Sequence, residues 1–137
     1  MSKFSVNDKC QCGSGLKYKK CCQAFHKGKL PSNALELMKS RYSAYVVKDV
    51  KYIINTTDVN NPDFTLDTIA WANDLEEFCN NSDFKGLKIL EFIDGDEIAY
   101  VKFYVNLYIN NQDHSFTEKS EFVKVNNRWL YKNATFE

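Results

Sequence analysis

The chain has 137 residues, with 18 Lys+Arg against 18 Asp+Glu and 15% aromatic residues. That length bounds it to one domain with at most a small appendage, large enough to bury an apolar core without disulfide staples. The even charge balance supplies no global field for free nucleic acid or for an anionic membrane. No apolar run approaches the roughly 18 residues of a membrane span, and the start, MSKFSVNDKC, has no apolar signal segment. A soluble, cytoplasmic protein is expected, with no membrane partner.

Residues 1–30 are rich in Cys, Gly and Lys and lack periodicity, so something other than an apolar core must organise them. Within them, DKCQCGSGLKYKKCC (residues 8–22) holds four of the five cysteines. Three chemistries compete for this cluster. A disulfide framework requires an oxidising compartment, which nothing in the sequence points to, and a Cys21–Cys22 bond would close a strained ring. A thioredoxin-like redox site calls for C-x-x-C at a helix start behind a strand, and no strand precedes Cys10. Zinc fits best. The pairs Cys10, Cys12 and Cys21, Cys22 flank a short loop and can close a tetrahedron with Zn–S near ~2.3 Å. Gly13 and Gly15 tolerate the positive φ that would turn backbone amides inward, and Lys9, Lys17, Lys19 and Lys20 offset the thiolate charge. Four protein ligands leave no open position, so one structural Zn²⁺ is expected, without metal catalysis. His26 competes for a place as ligand but is better placed packing on the knuckle or exposed at the Lys27-Gly28 turn. Cys79 shares helical spacing with Ala72 and Leu75 and reads as a buried apolar side chain.

Beyond Leu30-Pro31 the pattern becomes helical. Asn33 followed by Glu36 resembles a capping box and opens a helix over Asn33–Val47, with Leu35, Met38, Tyr42 and Tyr45 on one stripe. Asp49 caps a short helix carrying Val50, Ile53 and Ile54. After a polar loop, a third helix is predicted over Asp67–Asn80, with Trp71, Leu75 and Phe78 aligned. The period then falls to two. A strand near Leu87 leads to Asp94-Gly95, a two-residue hairpin signal. From Ile98 to Ile109, Ala99, Val101, Phe103, Val105 and Leu107 face one way and Tyr100, Tyr104 and Tyr108 the other. Strands at Ser115–Val125 and Arg128–Lys132 follow, separated by turns at Asn110–Asp113 and Asn126-Asn127. Three helices followed by a four-stranded antiparallel meander is an α+β arrangement.

The stretch CQCGSGLKYKKCC resembles the SEC-C motif, a zinc knuckle named for the C terminus of the SecA translocation ATPase. ALELMKSRYSAYVVKDVKYIINTT (34–57) and EKSEFVKVNNRWLY (118–131) are similar to the first helices and last strands of the YchJ-like family. The resemblance implies a SEC-C segment over residues 1–30 joined to a nuclear transport factor 2-like (cystatin-like) cone over residues 31–137, a curved sheet wrapped by helices. It implies a fold and a metal but no established activity. Many relatives carry a second SEC-C motif at the C terminus, which the residues up to Glu137 do not contain, so a function needing two knuckles is not expected here.

Two functions follow as expectations. In SecA the knuckle docks the chaperone SecB and the ribosome. Carried over, this makes Lys17, Tyr18, Lys19 and Lys20 the contact surface for a protein or ribosomal partner, with Tyr18 free to stack or pack on it. The alternative is a small-molecule site or an enzyme in the cone, lined by Arg41, Tyr42, Tyr45, Trp71, Tyr104, Tyr108, Glu121 and Trp129. Catalysis there would need a carboxylate or His in an apolar setting. Both His26 and His114 fall outside the cone, and Glu91, Glu118 and Glu121 read as solvent-facing, so no enzyme is expected. Arg41, among aromatics, is expected to be ion-paired. A blander possibility is that the knuckle only covers one end of the cone: a docked knuckle hiding its lysines favours that, a projecting one favours partner binding.

Overall fold

In the computed structural model, which describes residues 5–136, four helices precede one antiparallel sheet. The helices are α1 (Cys22–His26), α2 (Ala34–Val47), α3 (Val50–Asn55) and α4 (Thr68–Asn81). The last three start where short polar side chains take up the free amides of the first turn. Asn33 Oδ1 accepts from the Glu36 amide at 2.9 Å, and Asp49 and Asp67 accept from the Tyr52 and Ala70 amides at 3.1 Å. The reciprocal half of the capping box is displaced by one residue: Glu36 Oε1 accepts from the amide and hydroxyl of Ser32, both at 2.7 Å. Lys48, with φ of 66°, ends α2 in the left-handed region and turns the chain straight into the Asp49 cap.

The strands are β1 (Ser82–Ile93), β2 (Ile98–Ile109), β3 (Gln112–Asp113), β4 (Phe116–Val125) and β5 (Arg128–Phe136), in the order β1-β2-β4-β5 with the short β3 paired antiparallel to the end of β2. The expected meander is therefore present. Its two Asn-Asn turns place both residues at positive φ, 52° and 63° in each case, as a mirror-image two-residue hairpin turn requires and as Asn tolerates. The hairpin expected at Asp94-Gly95 is different: four residues, 94–97, join β1 to β2. Gly95 is needed there for close approach, since a Cβ would lie 2.1 Å from the Ile98 carbonyl oxygen. Two register shifts in β1, at Phe84/Gly86 and Ile89/Glu91, mark bulges that bend that strand.

The core lies between the inward positions of β2, β4 and β5 (Ala99 to Leu107, Phe122, Trp129) and the Leu37, Met38, Tyr42 side of α2. Full burial of a side chain such as Leu37 or Phe122 contributes about 1.5–3 kcal/mol each. The α2 helix is not one-sided, however. Ser40, Ser43 and Ala44 are also fully buried, because the N-terminal segment covers that face. The predicted α4 stripe is uneven: Trp71 is buried edge-on against Phe64, whereas Phe78 is 38% exposed. Among the described residues no helix is long and apolar enough to cross a membrane.

Candidate functional site

The cysteine segment folds as a miniature hairpin running into a helix. Lys9 bridges Lys17 across it, the Cys10 amide donates to Leu16 O at 2.7 Å, and the Tyr18 amide donates to Asp8 O at 2.8 Å. Gly13 and Gly15 turn the loop with φ of 86° and 84°, a region that strongly favours glycine. Cys10 and Cys12 sit on the hairpin; a 3-10 turn, Tyr18–Lys20, then delivers Cys21 and Cys22 to the start of α1. All four sulfurs lie within 4.8 Å of one another, Cys12 and Cys21 at 3.5 Å. A zinc tetrahedron with bonds near ~2.3 Å has S···S edges of about 3.8 Å, so the four sulfurs fit such an ion. The polar contacts at the sulfurs are two hydroxyls and a carbonyl: Ser14 Oγ to Cys21 at 3.1 Å, Ser43 Oγ to Cys10 at 3.7 Å and Lys39 O to Cys22 at 3.8 Å.

Ionisation in this cluster is uneven. Hydrogen bonds from Cys12 and Cys22 draw the Cys10 thiol down, while the same contact with Cys10 pushes Cys12 up to about 11 and Cys22 higher still. One thiolate is thus stabilised by its neighbours and opposes the rest. A divalent cation at the centre reverses that opposition and lets every ligand ionise. Cys79 is buried on α4, outside the cluster, and burial pushes its thiol up to about 11.

The knuckle is docked and not projecting. His26 Nε2 donates to Ser40 O at 2.8 Å, which leaves Nδ1 to accept from the Tyr18 hydroxyl at 2.5 Å. Both ring nitrogens are engaged, so His26 fastens the knuckle to α2 and is not among the clustered ligands. Gln11 Oε1 accepts from Ser43 Oγ at 3.1 Å, a second fastening. Tyr18 must accordingly be removed from the predicted contact surface. It is 6% exposed, because the 3-10 turn points it at His26 while Lys17, Lys19 and Lys20 stay in solvent. The knuckle therefore matches neither expected extreme: it packs down, yet its lysines remain outside.

Between the sheet and the helices lies a cavity of about 300 Å³. Arg41, Tyr42 and Tyr45 line it; Trp71, Tyr104 and Trp129 do not. Tyr104, 37% exposed, lies on the opposite face of β2 from the cavity residues Phe103 and Val105, and strand alternation carries Tyr108 outward with it. Trp129 lies in the core beside the groove between knuckle and cone, and Trp71 packs on Phe64. Glu121 faces away and approaches Lys132 at 3.9 Å. Arg41 is not ion-paired: among the described residues no carboxylate oxygen lies within 4.0 Å. Its Nη1 donates to Ile53 O at 2.9 Å and Thr56 Oγ1 at 2.7 Å, and the guanidinium lies 4.5 Å from the Tyr131 ring centroid.

Glu118 is the residue that sequence reasoning misplaced. It is buried in the cavity wall opposite Phe103, its Oε2 accepting hydrogen bonds from the hydroxyls of Ser120 and, at 3.2 Å, Tyr131. Burial pushes its carboxyl up, against those hydrogen bonds and the Arg41 charge. The signal was available: Phe116 and Phe122 fix the inward phase of β4, and Glu118 and Ser120 share it.

Residues 33–134 match the family described as YchJ, middle NTF2-like domain, and residues 7–24 match the SEC-C motif. Similar proteins include a UPF0225 protein of Pectobacterium carotovorum, 40% identical over 92% of this chain and 82% of that one. Another, from Actinobacillus succinogenes, is 35% identical over 93% and 82%. A solution structure of a SEC-C motif containing protein from Rhodopseudomonas palustris superposes with a TM-score of 0.77 at 29% identity, covering 92% of this chain and 96% of that one. A crystal structure of a SEC-C motif containing protein from Psychrobacter arcticus gives 0.75 at 25% identity, over 93% and 81%.

Proposed function

Since the chain belongs to the YchJ-like family, whose named members are UPF0225 proteins, we propose that it is a zinc-binding, non-catalytic interaction protein that docks a protein or ribosomal partner through its knuckle. One Zn²⁺ sits on Cys10, Cys12, Cys21 and Cys22 and supplies folding chemistry alone, replacing the core that this short segment lacks. The cytoplasm, where thiols stay reduced, is its compartment in this reading.

The observation that carries the reading is the exposure of Lys17, Lys19 and Lys20 on a segment otherwise fastened to α2. Residues 8–29 hold six lysines against one acid, Asp8. Four thiolates around a divalent ion leave two negative charges, so a positive surplus remains for an acidic surface. A rigid scaffold presents that charge without the ordering cost a flexible tail would incur on binding, and rim charges of this kind govern association rate and salt dependence. The test is capture from lysate, identified by mass spectrometry, with wild type, the triple variant Lys17→Glu/Lys19→Glu/Lys20→Glu and Cys21→Ser. Wild type is expected to retain a partner that both variants lose. Equal capture by the lysine variant refutes docking through this surface.

A further inference from the structure

The cone cavity is separate from the knuckle and is built around a charge pair that does not touch. Glu118, on β4, and Arg41, on α2, both line it. A carboxylate among aromatic rings is costly unless its oxygens are hydrogen-bonded, and Glu118 is half satisfied. Its Oε2 takes Ser120 and Tyr131; its Oε1 has no hydrogen-bond partner among the described residues. Arg41 is in the complementary condition. Nη1 is engaged with Ile53 O and Thr56 Oγ1, while Nη2 and Nε donate to no described residue. No nitrogen of Arg41 comes within 4.0 Å of a carboxylate oxygen among those residues, so a gap separates an open acceptor from open donors.

The chemistry of that gap is selective. A cationic head group would meet Arg41, and an anionic one would meet Glu118, in surroundings where unpaired charge is expensive. An uncharged group bearing an N–H donor and a carbonyl acceptor on one carbon satisfies both walls together. The remaining lining is largely aromatic, with Tyr42 and Phe78 each edge-on to Phe84 at 5.8 and 6.2 Å, which suits a planar apolar body. The volume, about 300 Å³, is at the lower end of ligand sites, which run from ~300 to ~1,000 Å³. We propose that this cavity binds a small uncharged carboxamide with a planar apolar body, its N–H on Glu118 Oε1 and its carbonyl on Arg41.

The experiment uses the full zinc-loaded chain and three probes of one shape and different charge: benzamide, benzoate and benzylamine, titrated near neutral pH and followed by NMR. Benzamide is expected to shift the signals of Phe103, Val105 and Ser120 and to bind at least about tenfold more tightly than either charged probe, a difference of ~1.4 kcal/mol. Glu118→Gln leaves Arg41 uncompensated, so benzoate gains at least about tenfold on benzamide in that variant. Val105→Phe fills the cavity and abolishes all three responses. The proposal is overturned if a charged probe matches benzamide on wild type, if no probe perturbs the cavity signals, or if Glu118→Gln leaves the ranking unchanged. Should Glu118→Gln fail to fold, the wild-type ranking decides alone.

Discussion

The knuckle and the cone are held together in opposite ways. In the knuckle a few residues do nearly everything: four sulfurs within 4.8 Å, two glycines at positive φ and one histidine fastening the unit to α2. In the cone, burial is spread over many positions along three strands and a helix. The first kind of region should fail all at once when its centre is removed. The second should weaken in proportion to the packing deleted.

The sharpest test of that contrast is metal removal. Chelation, or Cys22→Ser, should disorder the segment up to about residue 30, because an apparent ~10–16 kcal/mol of structural zinc binding is folding energy for such sites. Far-UV circular dichroism should retain the helical and sheet signal of the cone, with a lowered Tm as Ser40 and Ser43 become exposed. Collapse of the whole spectrum would contradict separate means of support. Next in size is Phe122→Ala, whose side chain is 1% exposed at the centre of the core. Urea unfolding should report a loss of about 3–5 kcal/mol with zinc content unchanged. His26→Ala lies between the regions. It removes one hydrogen bond from the Tyr18 hydroxyl and one from the Ser40 carbonyl, at about 0.5–1.5 kcal/mol each. Hydrogen exchange should quicken in the knuckle while the metal stays bound; a lost metal would make His26 a ligand after all. The smallest effect belongs to Lys17→Glu/Lys19→Glu/Lys20→Glu, since exposed charges contribute at most about 1 kcal/mol each to stability. A Tm that fell as far as for His26→Ala would mean these lysines pack and are not a free surface.

The same contrast explains what could be read from the residues in order. Ligands within thirteen positions carry their own geometry in their spacing, so Cys10, Cys12, Cys21 and Cys22 were legible as a cluster without knowledge of the fold. Helix caps at Asn33, Asp49 and Asp67 and the Asn-Asn turns are local in the same sense, and each appears where its side-chain chemistry puts it. The misreadings have two sources: cover by partners distant in sequence, and strand phase overridden by residue type. Tyr18 looked like an exposed aromatic between lysines because nothing nearby announces His26 or α2 as its cover. Ser40 and Ser43 are buried on α2 because the knuckle returns to lie on them, a cover that nothing within the helix announces. Glu118 was assigned outward by residue type, when the phase set by Phe116 and Phe122 places it inside. Tyr104 and Trp129 were grouped with the pocket by aromatic character, though alternation puts Tyr104 on the far face and Trp129 packs in the core beside another groove. Residue type gives the more common environment; strand phase and tertiary cover decide the actual one.

Native mass spectrometry of the chain, purified without added metal, decides whether zinc builds the knuckle. A mass corresponding to one zinc ion and no disulfide is expected, with Cys10, Cys12, Cys21 and Cys22 resistant to alkylation until the metal is chelated. A metal-free mass, or a bond between Cys21 and Cys22, would contradict it.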